Sequence, residues 1–394
     1  MTNEDFIQQN KDAEVHTLAL SKVPAGINLQ YCLQQIEGRQ IAKRKLPSWA
    51  NTEGIVYPTK LSMEQCSSEQ TALYKQQLAE RLLPRTERGK MVDLTGGFGI
   101  DFTFLATLFE EADYVEQNES LCDIARHNFP LLDLAKVNVH NKTCEDFLDE
   151  MGHFDLIYLD PSRRDADGRK MVALSDCSPN LEKLQDTLLD HARIIIAKLS
   201  PMLDIHDTLR RLPNVSEVHV ISVEGECKEV LFVLCQKPQN EKLYYCVNLA
   251  KQTQLFCTKA RDTEPSLAHA LECYLYEPNA SILKAGVQNA LCQSYDVRKL
   301  HPFSHLFVSA HFIEEFPGRS FLIEDYCSFA KSDLKRMLAD ISQCNLTIRN
   351  FPSTVAELRK RLKLREGGNI YLFATTLSDG SHALIRCRPT YNNK

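Results

Sequence analysis

A chain of 394 residues, 43% of them hydrophobic, is long enough for two or three packed domains, and it holds no run of 18 apolar residues that could cross a membrane. The polar, acidic start Met1-Thr-Asn-Glu-Asp-Phe6 lacks the basic and then apolar stretches of a secretory signal, so a cytoplasmic protein with no membrane partner is expected. The formal charge of −6 hides an asymmetry, because residues 319–394 carry 13 Lys/Arg against 7 Asp/Glu and form a basic tail on an acidic body.

Residues 1–85 are expected to be mostly helical, since Leu18, Leu20 and Val23, then Ile27, Leu29, Leu33 and Ile36, recur at near-helical spacing. A basic patch covers 39–45, and the only tryptophan, Trp49, follows it. The Ser/Thr-rich stretch from Tyr57 to Ala72 leads into a helix through about Leu83, for which Ser67 or Ser68 is a good N-cap.

From 86 to 237 strands and helices alternate in the βαβ rhythm of a doubly wound sheet. The segment Met91-Val-Asp-Leu-Thr-Gly-Gly-Phe-Gly-Ile-Asp101 reads as a buried strand ending in an acid, a bare glycine turn, and a helix starting near Ile100. Such a turn lets backbone amides approach a ligand closely. Its spacing is neither the dinucleotide fingerprint nor a P-loop, which would need a Lys-Ser/Thr pair. Further strands are expected at 112–116, 136–141, 154–160 and 192–199, and a closing pair at 215–223 and 228–235 is joined by Glu224-Gly225-Glu226.

The polar stretch 237–242 is the expected boundary. A connecting α+β, ferredoxin-like region is read over 238–318, with strands at 243–249 and 254–258 and a helix opening near Asn279. Over 319–394 the order is strand, helix, strand, helix and two strands, with Arg359-Lys-Arg-Leu-Lys-Leu-Arg365 closing the second helix. The fourteen cysteines are scattered through apolar runs and include no Cys-x-x-Cys pair, which points to reduced thiols. His301, His305 and His311 have no acid or cysteine nearby at ligand spacing, so no metal is expected.

An acid four residues before the second glycine is the pattern of class I S-adenosylmethionine-dependent methyltransferases, which the 91–101 stretch resembles. The seven-strand rhythm with its terminal antiparallel hairpin is similar to that family's Rossmann-like sheet. The 57–72 stretch is similar to a pre-domain segment of RNA methyltransferases that closes over the methionine end of the cofactor, which implicates Ser67. The tail resembles a THUMP-type RNA-binding module. Together these motifs resemble the bacterial family of class I methyltransferases with a THUMP-like C-terminal domain.

That resemblance implies S-adenosyl-L-methionine as cofactor. Gly96, Gly97 and Gly99, with Asp93 and Thr95, would face its amino-acid part. Glu116, 23 residues after Asp93, would take the ribose hydroxyls, and Asp146 the adenine amine. Asp160-Pro-Ser-Arg-Arg164 stands where the family's exocyclic-amine enzymes carry an Asp-Pro-Pro-aromatic motif. Asp160 and Pro161 would orient the acceptor, while Ser162 and Arg163 replace the second proline and the aromatic. A stacking ring would then have to come from Trp49, Tyr57 or Phe98, and Arg163 with Arg164 could grip a phosphate. Arg359, Lys360, Arg361, Lys363 and Arg365 would neutralise RNA phosphates. The expected function is methylation of structured RNA, tRNA or rRNA, with Asp160-Pro161 orienting the acceptor and an exocyclic amine as the candidate acceptor. The alternatives are methylation of a protein or small molecule, and a non-catalytic RNA- or cofactor-binding module.

Overall fold

Short runs of mostly apolar residues become strands, buried on both faces except at the edge strand Val137–His140. They are β1 (Lys90–Asp93), β2 (Glu111–Val115), β3 (Val137–His140), β4 (Phe154–Leu159), β5 (Ala192–Leu199), β6 (Val215–Val223) and β7 (Glu226–Leu234). The computed structural model describes residues 1–134, 136–163, 174–238, 241–259 and 263–390. Met91, Val92, Leu156, Ile157, Ile195 and Ile196 are fully buried, as expected where helices cover a parallel sheet.

The chain divides into two compact units, Met1–Glu217 with Val230–Asn240, and Val218–Glu229 with Glu241–Lys394, so most of β6 and the start of β7 belong to the second unit. The seven expected strands take the order β3-β2-β1-β4-β5-β7-β6 within a nine-stranded sheet, with β1 to β5 parallel and β7 antiparallel to β5. Strand order therefore reverses between β1 and β4, and the crevice beyond their carboxyl ends is where such sheets bind ligands.

In the first unit the N-terminal segment forms helices that include Leu29–Lys45, Lys60–Gln65 and Glu69–Leu82. Ala42, Leu46, Trp49, Tyr57, Met63 and Ala72 pack with Phe98 and Ile100, so this segment lies directly on the glycine turn. Trp49 and Phe98 are 4.8 Å apart between ring centroids. That packing overturns one expectation. Trp49 and Tyr57 are no more than 4% exposed and serve the core, so neither offers a base-stacking surface, whereas Phe98, also buried, is the one of the three that lines the cavity at the carboxyl ends of the strands.

The second unit contains a seven-stranded sheet in the order Arg298–Lys299, Phe307–Ser309, Tyr274–Pro278, Gly318–Cys327, His382–Pro389, Arg365–Thr376 and Gln343–Arg349. The last two strands are parallel, joined through the helix Val355–Leu362. Cys327, Met337, Cys344, Leu346, Leu358, Leu372 and Leu384 form a buried core between its helices and sheet. Leu243–Leu249 and Gln254–Thr258 form an antiparallel pair, as expected. Among the described residues no helix is long and apolar enough to cross a membrane.

Candidate active site

At the carboxyl ends of β1, β2, β4 and β5 lies a cavity of about 330 Å³ in the first unit. Its floor is the turn after β1. A Cβ on Gly96 would stand 2.1 Å from the Tyr114 ring, so only glycine fits beneath the aromatic residue of β2. Gly99 has φ +86°, the left-handed conformation from which the helix Ile100–Ala106 starts. Its Cβ would meet Phe129 at 2.9 Å. The turn is pinned from two sides. Asp93 Oδ1 accepts from the Thr95 amide at 2.9 Å, and Glu116 Oε2 accepts from the Gly97 amide at 2.8 Å. Thr95 Oγ1 in turn accepts from the Asp160 amide at 2.6 Å, which ties the ends of β1 and β4 together.

Burial, with the nearby Asp101 and Asp160 charges, pushes the Asp93 carboxyl well above the ordinary carboxylate range, against the hydrogen bonds from Thr95. Asp101 behaves oppositely. Burial opposes its charge, yet the ammonium groups of Lys75 and Lys198 and the hydroxyls of Ser67 and Tyr158 hold its carboxyl below that range. Lys75 Nζ lies 3.0 Å from Asp101 Oδ1, while Ser67 and Tyr158 each donate to Oδ2 at 2.7 Å. Lys198 Nζ reaches Asp101 Oδ2 at 3.5 Å, Ser67 Oγ at 3.0 Å and Asp160 Oδ2 at 2.6 Å. A helix of the N-terminal segment, the helix after β1 and the ends of β4 and β5 thus share a single ionic hub.

The cavity brings together Ser67, Asp93, Thr95, Gly96, Gly97, Gly99, Glu116, Asp160 and Ser162 from the residues singled out in the sequence. The two serines at the head of the helix Glu69–Leu82 divide the work. Ser68 caps the helix, accepting from the Thr71 amide, while Ser67 turns into the hub. Asp146 does not line the cavity. It is exposed, and Thr143 donates to it at 2.7 Å and caps its amide at 3.1 Å, a local arrangement at the start of the helix Cys144–Leu148. Thr143, Cys144 and Glu145 line the cavity in its place. Pro161 is buried, and Ser162 and Arg163 pair with Ser178 and Cys177 as a short antiparallel ladder. The Arg163 side chain and Arg164 lie outside the described residues.

Lys75, Asp101, Tyr158 and Lys198 escaped sequence reasoning, although two of them left a signal. Lys75 stands among Ala72, Leu78 and Ala79 on the apolar face of its helix, and Lys198 interrupts an otherwise apolar strand end. A lysine in either position is costly unless it is paired. The residues present fit an S-adenosylmethionine-sized ligand: a turn that excludes side chains, an acid at the end of β2, and a volume within the roughly 300–1,000 Å³ usual for cofactor sites. Among the described residues no group of side chains could hold a metal ion.

In the second unit the basic run is partly engaged. Arg359 pairs with Glu366 at 2.8 Å, Arg361 lies 5.8 Å over the Phe329 ring, and Lys363 ends the helix in a left-handed conformation. Lys360, Arg361, Lys363 and Arg365 are exposed.

Residues 274–317 match a ferredoxin-like domain family and residues 318–389 a THUMP domain-like family. The chain is similar over nearly its whole length to the crystal structure of a protein from Porphyromonas gingivalis W83 assigned as a methyltransferase. The identity is 34%, the TM-score 0.86, and the match covers 98% of this chain and 97% of that one. A Listeria monocytogenes protein assigned as a class I S-adenosylmethionine-dependent methyltransferase is more distant, at 13% identity and TM-score 0.39 over 62% of this chain and 83% of that one. That likeness bears no functional argument. No curated protein matches the chain.

Proposed function

The chain belongs to the family of the Porphyromonas gingivalis protein, class I methyltransferases with a THUMP-like C-terminal domain, and on that premise we propose that it methylates structured RNA, tRNA or rRNA. The observation that carries methyl transfer is the cavity itself, which the bare turn, Glu116 and the Asp160–Lys198 pair line together. S-adenosylmethionine, when bound, supplies an electrophilic methyl group on a sulfonium centre. The loop amides with Thr95 and Asp93 would hold its amino-acid end, Glu116 its ribose hydroxyls, and Ser67 would close over the methionine side.

Asp160 and Pro161 orient the acceptor, so catalysis is mainly positioning: an acceptor about 3–3.5 Å from the methyl and in line with the departing sulfur gains most of its rate from pre-paid entropy. RNA as substrate is supported by the THUMP-like domain and by exposed Lys360, Arg361, Lys363 and Arg365, which can neutralise phosphates without reading sequence.

The test is transfer of labelled methyl from S-adenosylmethionine into an extract of cells lacking the protein, fractionated into RNA, protein and small molecules. Label in RNA that disappears with Asp160→Ala, while that variant still binds S-adenosylhomocysteine, is the expected result. Label confined to protein or small molecules refutes the RNA reading. Cofactor binding without label in any fraction refutes catalysis.

A further inference from the structure

Asp160, the residue that would hold the acceptor, does not stand alone at the cavity mouth. Its Oδ2 is 2.6 Å from Lys198 Nζ, and the side chains are 39% and 11% exposed respectively. Lys198 also contacts Asp101, whose other oxygen is held by Lys75 with a fully buried side chain. The row Lys75, Asp101, Lys198, Asp160 therefore alternates in sign and sums to zero, with its last carboxylate already neutralised by an ammonium.

That neutralisation decides which nucleophile the site can serve. An amine that attacks a methyl group becomes a cation, and a site suited to it keeps an unneutralised carboxylate and no ammonium beside the acceptor. A hydroxyl that attacks the same methyl must instead lose its proton, and its oxygen grows more negative as the proton leaves. An ammonium beside the acceptor stabilises that oxygen and opposes the developing positive charge of an amine, and only such differential stabilisation accelerates the step. The chain departs from the amine motif in the same direction. Ser162 stands in place of the second proline, Arg163 in place of the aromatic, and Trp49 and Tyr57, two of the rings that could have stacked a base, are buried in the core.

From this juxtaposition we infer that the acceptor is a hydroxyl oxygen, in RNA the ribose hydroxyl, with Asp160 receiving its proton and the Lys198 ammonium both holding Asp160 and stabilising the acceptor oxygen. The ribose assignment rests on the RNA reading above. The hydroxyl assignment needs only methyl transfer at this cavity. The acceptor O–H donates to the second carboxylate oxygen of Asp160. The new C–O bond forms as the C–S bond breaks, the electron pair of the broken bond leaves with sulfur, and the hydroxyl proton passes to Asp160 and then to solvent. Lys198 keeps its proton throughout.

The full-length protein is incubated with methyl-labelled S-adenosylmethionine and total RNA from cells lacking it, and the RNA is then hydrolysed with alkali. A 2′-O-methyl group blocks cleavage at its own phosphate, so label in alkali-stable dinucleotides is the expected result. Label in mononucleotides carrying a methylated base amine overturns the hydroxyl inference and leaves RNA methylation standing. Label on a hydroxyl of protein or of a small molecule supports the hydroxyl inference and overturns the RNA reading. No label in any fraction overturns both.

Lys198→Met is expected to lower kcat on the order of 10²–10³-fold, the usual loss for a preorganised electrostatic group. Its S-adenosylhomocysteine Kd, read by calorimetry, should stay within about threefold, because the loss falls on kcat and not on binding. Lys198→Arg, which keeps the charge, is expected to recover most of the rate. A Lys198→Met protein with unchanged kcat overturns the role of Lys198. If that variant does not fold, Asp160→Asn at the exposed mouth carries the test, and undiminished transfer by it overturns the assignment.

Discussion

Replacing Lys75 by Met tests whether the ionic hub holds the N-terminal segment to the sheet. The lysine side chain is fully buried, and its ammonium lies 3.0 Å from Asp101 Oδ1, 3.3 Å from Ser67 Oγ and 3.4 Å from the Thr71 carbonyl. Methionine fills a similar volume, so packing changes little and the charge is the perturbation. Removing one partner of a buried pair costs about 3–5 kcal/mol, because the other is left uncompensated. Asp101 still keeps Lys198 at 3.5 Å and the hydroxyls of Ser67 and Tyr158, which places the cost near the low end, about 3 kcal/mol. In a unit of this size that is a fall in Tm of roughly 6–12 °C.

The sign of the pH dependence follows from Asp101, whose folded-state carboxyl is held below the ordinary value by Lys75 and Lys198 against its burial. Its contribution is full above the unfolded carboxylate value of about 3.9 and is lost as pH falls through the lower folded value. The deficit of Lys75→Met should therefore be greatest near pH 7 and shrink as pH falls below about 4, where Asp101 protonates in the variant first. Thermal unfolding of the wild type, Lys75→Met, Asp101→Asn and the double variant between pH 7 and 3 measures this. The double variant should lose less than the sum of the single losses. Equal stability of wild type and Lys75→Met at pH 7, or a deficit that does not change with pH, refutes the argument.

Gly96→Ala, whose Cβ would stand 2.1 Å from the Tyr114 ring, should cost about 1–3 kcal/mol in denaturant unfolding and weaken S-adenosylhomocysteine binding in calorimetry. Asp93→Asn should gain stability relative to wild type as pH rises above the unfolded carboxylate value of about 3.9 in parallel melts. Burial raises the Asp93 carboxyl, so the stability it contributes is present below the unfolded value and is lost as it ionises. Asp146→Ala should cost about 1 kcal/mol or less, the scale of a helix-capping contact, and leave cofactor affinity within about twofold, since the carboxylate does not line the cavity. Neutralising Lys360, Arg361, Lys363 and Arg365 together should reduce the salt dependence of RNA binding, log K against log salt, by about 3. An unchanged slope would assign those residues to solubility.

Much of the fold was legible because it depends on local signals. Short apolar runs at βαβ spacing, the Gly-Gly-x-Gly turn after Asp93, and the hairpin around Glu224-Gly225-Glu226 each dictate a conformation within a few residues. Parallel strands end on the same side, so Asp93, Glu116 and Asp160 could be placed at one edge of the sheet before any coordinate was known. Asp146 shows the limit of that logic. It lies just beyond β3, but a threonine three residues earlier draws it into a helix start.

What the chain determined by itself is the sheet, the glycine turn and the row of acids at its edge, since strand period, glycine conformation and chain direction are short-range properties. Only the tertiary structure decided how those acids are charged. Lys75 comes from a helix ahead of the sheet and Lys198 from a strand far along the chain, yet both converge on Asp101, and Lys198 alone reaches on to Asp160. Electrostatics depends on distance in space and on the exclusion of water, neither of which is written in sequence separation.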